Sequence, residues 1–219
     1  MREQEDFFKH LRDNGFEPKT VFDIGVAWGT PPLYAAFPDS YYYLFEALPM
    51  FEKTIRNIVT KHRGEYQITA LSDHKGKKTI YVGQTPIAQA GASLYHETER
   101  KAATPVEISF DRLDNMMAGK EFETPALVKV DAQGADVAIM RGGVETIRKC
   151  DVVILELGMF PFSNKENQIV NAISVMGSIG FTPYDFISLR PRPYDGALGQ
   201  LDVAFVKEDG PFRKYPHWA

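Results

Sequence analysis

Five stretches of this chain are apolar with almost no polar alternation: "KTVFDIG", "YYYLFEA", "YQITALS", "PALVKVD" and "DVVILEL". A strand of that kind must be covered on both faces, which calls for a parallel sheet between two layers of helix. The intervening segments supply the helices. "TPPLYAAF" reads as a short one, with Thr30 as N-cap and Pro31 and Pro32 in its first turn. Pro49 opens "MFEKTIRNIVTKH", and "ADVAIMRGGVETIRKC" and "NKENQIVNAISVMGSIG" follow. "REQEDFFKHLRDNG" is a short amphipathic helix with Phe7, Phe8 and Leu11 on one face.

Two features complicate the alternation. After the third strand, "DHKGKK" turns into an extra strand, "TIYV". A loop-like stretch from Gly83 to Thr104 then leads to "PVEISFDRLDNMM", a strand and a helix start. At the end, "FTPYDFISL" and "LDVAFVKED" have no helix between them, so they form an antiparallel hairpin at the sheet edge. No repeat and no linker divides the chain. The expectation is one α/β domain over residues 1–219: an N-terminal helix (1–15), a core (16–208) and a tail (209–219).

Composition narrows the partners. The net charge is -4 and the pI about 5.8, which argues against nucleic acid. A single cysteine, Cys150, allows no internal disulfide, and no Cys/His cluster has zinc spacing; Asp131, Asp136 and Glu156 are hard oxygen ligands, but strand ends and helix starts produce such clusters by default, so no metal is expected. "MREQEDFFKH" has no signal-peptide core, and no apolar run is long enough to span a membrane. These features predict a cytoplasmic protein with no membrane or nucleic-acid partner. A homodimer is compatible with them.

In an open parallel sheet, ligands bind at the carboxyl ends of the strands. The first strand ends in "DIGVAWGT", with Asp23 ahead of Gly25 and Gly29. A dinucleotide fits this turn poorly. The pattern is G-x-x-x-G, not G-x-G-x-x-G. Pro31 and Pro32 remove two N–H donors from the helix start, and Asp23 would repel a pyrophosphate. The same carboxylate favours a ligand with an ammonium group and no phosphate, as in S-adenosyl-L-methionine. Glu46 ends the second strand and can accept from both hydroxyls of a ribose. Ser72 and Asp73, in "LSD", can reach an adenine edge, or Asp73 can serve the turn before Gly76.

The segments "VFDIGVAWGT", "YLFEALPMFEKTI", "ALSDHKGKKTIYV", "ISFDRLD" and "LVKVDAQGADVAIMRGG" occur in an order that resembles the successive motifs of the FkbM-type methyltransferases. "GASL" (Gly91 to Leu94) and "VVILELGMF" also match in place, so the resemblance runs from about Phe16 to Glu208. It implies a Rossmann-like class I methyltransferase fold with S-adenosylmethionine as methyl donor. The usual acceptor is a hydroxyl of a sugar or natural product. The cofactor residues expected are Asp23, Gly25, Val26, Gly29, Glu46, Ala47, Ser72, Asp73 and Asp131. The chain departs from the family pattern at Ala27, where Asn is usual, and at Trp28, bulky for a tight loop. It departs again at Gln133 and Asp136, where Glu is usual.

Methyl transfer to a hydroxyl needs alignment, exclusion of water and removal of a proton. Asp131 and Glu156 end adjacent strands, and either can be the base; Asp131 can instead cap the helix after it. His96 is a minor candidate base, while His62 at a helix end is better placed to meet the helix dipole. "LRPRPYDGALGQ" can cover the site, and its Arg190, Arg192 and Tyr194 can meet an acidic or glycan acceptor. Competing readings are a non-catalytic cofactor-binding module, a nicotinamide oxidoreductase and a nucleic-acid methyltransferase. The last lacks an N/D-P-P-Y/F signature after the fourth strand.

Overall fold

The computed structural model describes residues 2–92, 103–162 and 164–218. The elements run α1 (Gln4–Asp13), β1 (Thr20–Ile24), α2 (Pro31–Ala36), β2 (Tyr41–Glu46), α3 (Glu52–Lys61), β3 (Gly64–Ile68), β4 (Ala70–Leu71) and β5 (Gly76–Val82). There follow α4 (Pro86–Ala90), β6 (Thr104–Asp111), α5 (Leu113–Met116), β7 (Ala126–Val130), α6 (Asp136–Gly142) and α7 (Val144–Ile147). The chain closes with β8 (Val152–Gly158), α8 (Ile169–Ser178), β9 (Phe181–Pro191) and β10 (Leu198–Lys207).

Among the described residues the main sheet has seven strands in the order β3-β2-β1-β7-β8-β10-β9. The first five are parallel; β10 runs antiparallel to both β8 and β9 and closes the edge as a hairpin. The order reverses between β1 and β7, which leaves the carboxyl ends of these strands as the natural ligand crevice. A second sheet, β4-β6-β5, stands beside it. The extra strands after β3 are therefore not an extension of the main sheet but a separate wall.

Strand residues alternate between two cores, as the pleat requires. Phe22, Ile24, Val128, Val130 and Leu155 face a core shared with α6 and α8. Val21, Tyr42, Leu44, Leu127 and Ile154 face one shared with α1, α2 and α3. No helix among the described residues is long and apolar enough to cross a membrane.

Several local expectations are revised. The stretch expected as loop from Gly83 contains α4. The single helix expected at "ADVAIMRGGVETIRKC" is two, α6 and α7, broken at the glycine pair. A Cβ on Gly142 would lie 2.0 Å from the Ser72 carbonyl oxygen and one on Gly143 2.9 Å from Leu113, so the pair permits close packing where a helix would continue. Thr30 precedes α2, but its side chain makes no cap. The Thr30 hydroxyl turns inward to Asp23 instead.

Phe22 is a keystone of the first core: fully buried, stacked on Tyr43 at 5.0 Å between ring centroids and edge-on to Phe122 at 5.0 Å. Phe22→Ala is expected to cost about 3–5 kcal/mol. Urea denaturation should read this as a lowered midpoint with an unchanged slope.

Candidate functional site

The turn after β1 builds one side of a cavity at the carboxyl ends of β1, β2 and β7. Gly25 has φ +82, and a Cβ there would lie 1.9 Å from the Asp131 carbonyl oxygen. Only glycine lets the turn lie against the backbone that leaves β7. The cavity is lined by Gly25, Ala27, Glu46, Ala47, Leu48, Phe51, Asp131 and Gln133. Leu71, Ile80 and Ile108 of the second sheet form its apolar wall, and Gln89 and Ala90 of α4 lie along it.

Glu46 is buried with its two oxygens divided between two backbone donors, Ala27 N at 2.8 Å and Leu48 N at 2.8 Å. It thereby ties the glycine turn to the segment after β2. Burial raises its carboxyl above the usual range, against the pull of these N–H groups. A carboxylate oxygen can accept more than one hydrogen bond, so Glu46 can also receive a ligand hydroxyl.

Asp23 differs from expectation. Its carboxylate is fully buried, away from the cavity mouth, and accepts from the Tyr34 hydroxyl at 2.5 Å and the Thr30 hydroxyl at 3.4 Å. The strand pleat points it toward α2. Val26 and Gly29 also lie off the cavity: Val26 is in the core, and Gly29, at φ +97, makes the turn into α2. Ser72 and Asp73 do not line it either. The wall is Thr69–Leu71, after which the Ser72 N–H bonds to the Asp111 carbonyl and the chain turns away. Asp73 accepts from His74 Nδ1 at 2.6 Å, which holds its carboxyl below the usual range. His62 closes α3 against Tyr34 and Tyr42, off this cavity. His96 lies outside the described residues.

Asp131 and Glu156 do meet. The Gln133 amide spans them, donating to Asp131 Oδ1 at 2.8 Å and lying 3.3 Å from Glu156 Oε2. Asp131 does not cap α6; the preceding residue of that helix is Ala135, and the Val137 N–H bonds to Asn167 Oδ1 at 3.0 Å. Beneath the pair lies Lys129, buried, with Nζ 3.6 Å from Asp131 Oδ2 and 3.8 Å from Asp23 Oδ1. Asp202, in register with Glu156 across β8 and β10, accepts from the Gln4 amide at 2.8 Å.

The charges are interdependent. Burial alone would lower the Lys129 ammonium, but Asp131, Asp23, Asp202 and Glu156 together hold it above its ordinary value. Burial opposes ionisation of Asp131, yet Lys129 and hydrogen bonds from Glu156 and Gln133 hold its carboxyl below the usual range. Burial, then the Asp131 charge, push Glu156 up to about 9, so Glu156 carries the proton that the pair shares. The same two causes push Asp136 up to about 8. Asp136 Oδ2 accepts from Asn167, and Oδ1 has no partner among the described residues. No three His, Cys, Asp or Glu side chains among the described residues are arranged to hold a metal ion.

Sequence reasoning missed Lys129, Asp202 and Asn167. For two of them a signal exists: a lysine inside "ALVKV" and an aspartate inside "LDVAFV" are charges in otherwise apolar strands.

Strand order, reversed edge and the cavity at the strand ends are those of class I S-adenosylmethionine-dependent methyltransferases. A family model, the methyltransferase FkbM domain, matches residues 23–183, and the chain belongs to that family. The cofactor that goes with it is S-adenosylmethionine, and the buried acid Glu46 facing an apolar-walled cavity fits such a ligand. The methyltransferase FkbM from Methylobacillus flagellatus KT superposes with a TM-score of 0.52 at 13% identity, over 85% of this chain. This chain spans 43% of that protein's length. The N-methyltransferase NodS from Bradyrhizobium japonicum WM9 gives 0.51 at 9% identity, over 93% of this chain and 94% of its own. Magnesium protoporphyrin IX methyltransferase (ChlM) from Synechocystis PCC 6803, with bound SAH, gives 0.52 at 10% identity, over 93% and 81%. At these identities the likeness is one of fold. No match to the chain is found among curated proteins.

The proton on Glu156 sets a pH dependence. The folded protein holds it up to about pH 9, whereas the unfolded chain releases it near the ordinary Glu value. Its stabilising contribution is therefore full below that ordinary value and is lost as pH rises toward 9; Asp136 acts with the same sign up to about 8. Glu156→Gln and Asp136→Asn keep the shape without titrating. Each should flatten the fall of the urea midpoint between about pH 5 and pH 9, and each variant should match or exceed the parent at the alkaline end.

Proposed function

We propose that the protein is an S-adenosylmethionine-dependent O-methyltransferase acting on a hydroxyl of a sugar, glycan or natural product. The observation that carries this reading is the convergence of Gly25, Glu46 and the Asp131–Gln133–Glu156 corner on one cavity at adjacent strand ends.

In this reading Glu46 holds the ribose hydroxyls of the cofactor, and Leu71, Ile108 and Ile139 enclose its base. The cofactor supplies an electrophilic methyl group. Asp131, which lies on the cavity and stays ionised beside Lys129, takes the proton of the acceptor hydroxyl. Glu156, protonated, donates to Asp131 and steadies its orientation, and Gln133 holds the two in place. Asp23 acts at a distance: through Tyr34 and Thr30 it fixes the path of the glycine turn.

Calorimetric titration with S-adenosylhomocysteine tests the reading. The parent protein should bind, and Glu46→Ala should weaken binding about tenfold or more, the scale of hydrogen bonds to a charged group. Asp131→Asn should leave binding in place and lower transfer to a hydroxyl acceptor about 10²–10⁴-fold. A parent that fails to bind, or an Asp131→Asn variant with unchanged turnover, would refute it.

A further inference from the structure

Resting on the methyltransferase reading, we propose that the acceptor lies in the groove next to the Asp131–Glu156 corner. Arg190 then makes the groove select polyhydroxy acceptors that bear an anionic group, a carboxylate or a phosphate. The groove opens beside the cofactor cavity, with which it shares Gln133 and Ala90, and is lined further by Trp28, Glu156, Arg190 and Gln200. Any molecule in it would lie against the polar corner.

Two arginines of the hairpin behave differently. Arg192 is engaged: its guanidinium forks onto Asp195, with bonds of 2.7 and 2.5 Å, and stacks over the Phe160 ring at 3.9 Å. Arg190 is not. Its side chain is 61% exposed, and its one ion pair among the described residues is to Glu156 Oε1 at 3.8 Å, beyond hydrogen-bond length. Glu156 carries a proton, so it does not neutralise the guanidinium. Arg190 therefore presents a planar donor fork to the groove, the geometry that matches a carboxylate or phosphate with two parallel bonds.

The surroundings supply the rest of an acidic sugar's needs. Gln200 is in register with Arg190 across the hairpin, so an amide stands beside the guanidinium for ring hydroxyls. Across the groove the half-exposed Trp28 indole offers an apolar face. Asp131 is the one ionised acid at the corner, and Lys129 balances it from below, so the negative charge there is largely compensated.

The test is calorimetry on the full chain saturated with S-adenosylhomocysteine, with methyl glucuronide, glucose 1-phosphate and methyl glucoside as probes. At low salt at least one anionic probe should bind about tenfold or more tightly than the neutral glucoside, as charge-assisted bonds require. The two anionic arms tell carboxylate from phosphate. Arg190→Gln should abolish the preference without changing S-adenosylhomocysteine affinity, and Arg190→Lys, which keeps the charge and loses the fork, should retain part of it. Equal affinity for all three probes overturns the proposal, as does binding of none by a protein that still takes up S-adenosylhomocysteine. A preference that survives Arg190→Gln overturns it too. If the parent fails to bind S-adenosylhomocysteine, the underlying reading fails and the proposal goes with it.

Discussion

The structure turns on one buried ammonium. Lys129 sits in the centre of the sheet with carboxylates around it from β1, β8, β10 and the end of β7. A lone buried charge is costly, and removing one partner of such a set leaves the others uncompensated. The pleat explains how the set arises. Asp23, Lys129, Glu156 and Asp202 all take the strand parity that faces α1 and α2, next to positions that face the opposite core. The cation cannot neutralise all of them, so protonation completes the balance. Glu156 and Asp136 keep protons, while Asp131, which lines the cavity, is held ionised beside Lys129. The electrostatics of the sheet interior thus keep a charged carboxylate at the ligand end.

Backbone strain gathers at the same place. Among the described residues three non-glycines have positive φ: Ala27 at 43°, Gln133 at 50° and Ser188 at 53°. Ala27 and Gln133 both line the cavity, and Ser188 is bonded to Asp202. Such conformations cost about 1–3 kcal/mol each and persist where surrounding contacts fix them. Here the contacts are visible. Glu46 accepts the Ala27 N–H, and Asp131 with Glu156 hold the Gln133 amide. An Asn at the Ala27 position would suit this backbone, since Asn tolerates the left-handed region better than Ala.

The sheet was legible in the sequence because continuous apolar runs have few ways to be buried. The closing hairpin followed from the missing helix, and the strand-end acids marked the ligand edge. Directions of side chains were not legible. Asp23 reads as an acid at the mouth of the site, yet its partner Tyr34 stands eleven residues on, and that pairing depends on where α2 packs. Ser72 and Asp73 follow a strand that the sequence assigns to the main sheet. Leu71 belongs instead to the second sheet, so the chain leaves the cavity before Ser72 and Asp73 are reached. The break between α6 and α7 comes from the close approach of the Ser72 carbonyl, a contact seventy residues apart in sequence.

Gln133 keeps a third acid out of the corner. A glutamate at this position would add a third acid between Asp131 and Glu156, and like charges so close cannot all ionise. An amide does the reverse. It donates to both neighbours, so Asp131 can stay ionised and Glu156 can share its proton without competition from a third carboxyl. The cost is one fewer acid facing the acceptor. Arg190 stands on that side with only a long contact to Glu156, and the amide adds no acid to compete for its guanidinium. On the proposed reading, the uncharged amide and the open guanidinium together suit acceptors that bring a negative charge of their own.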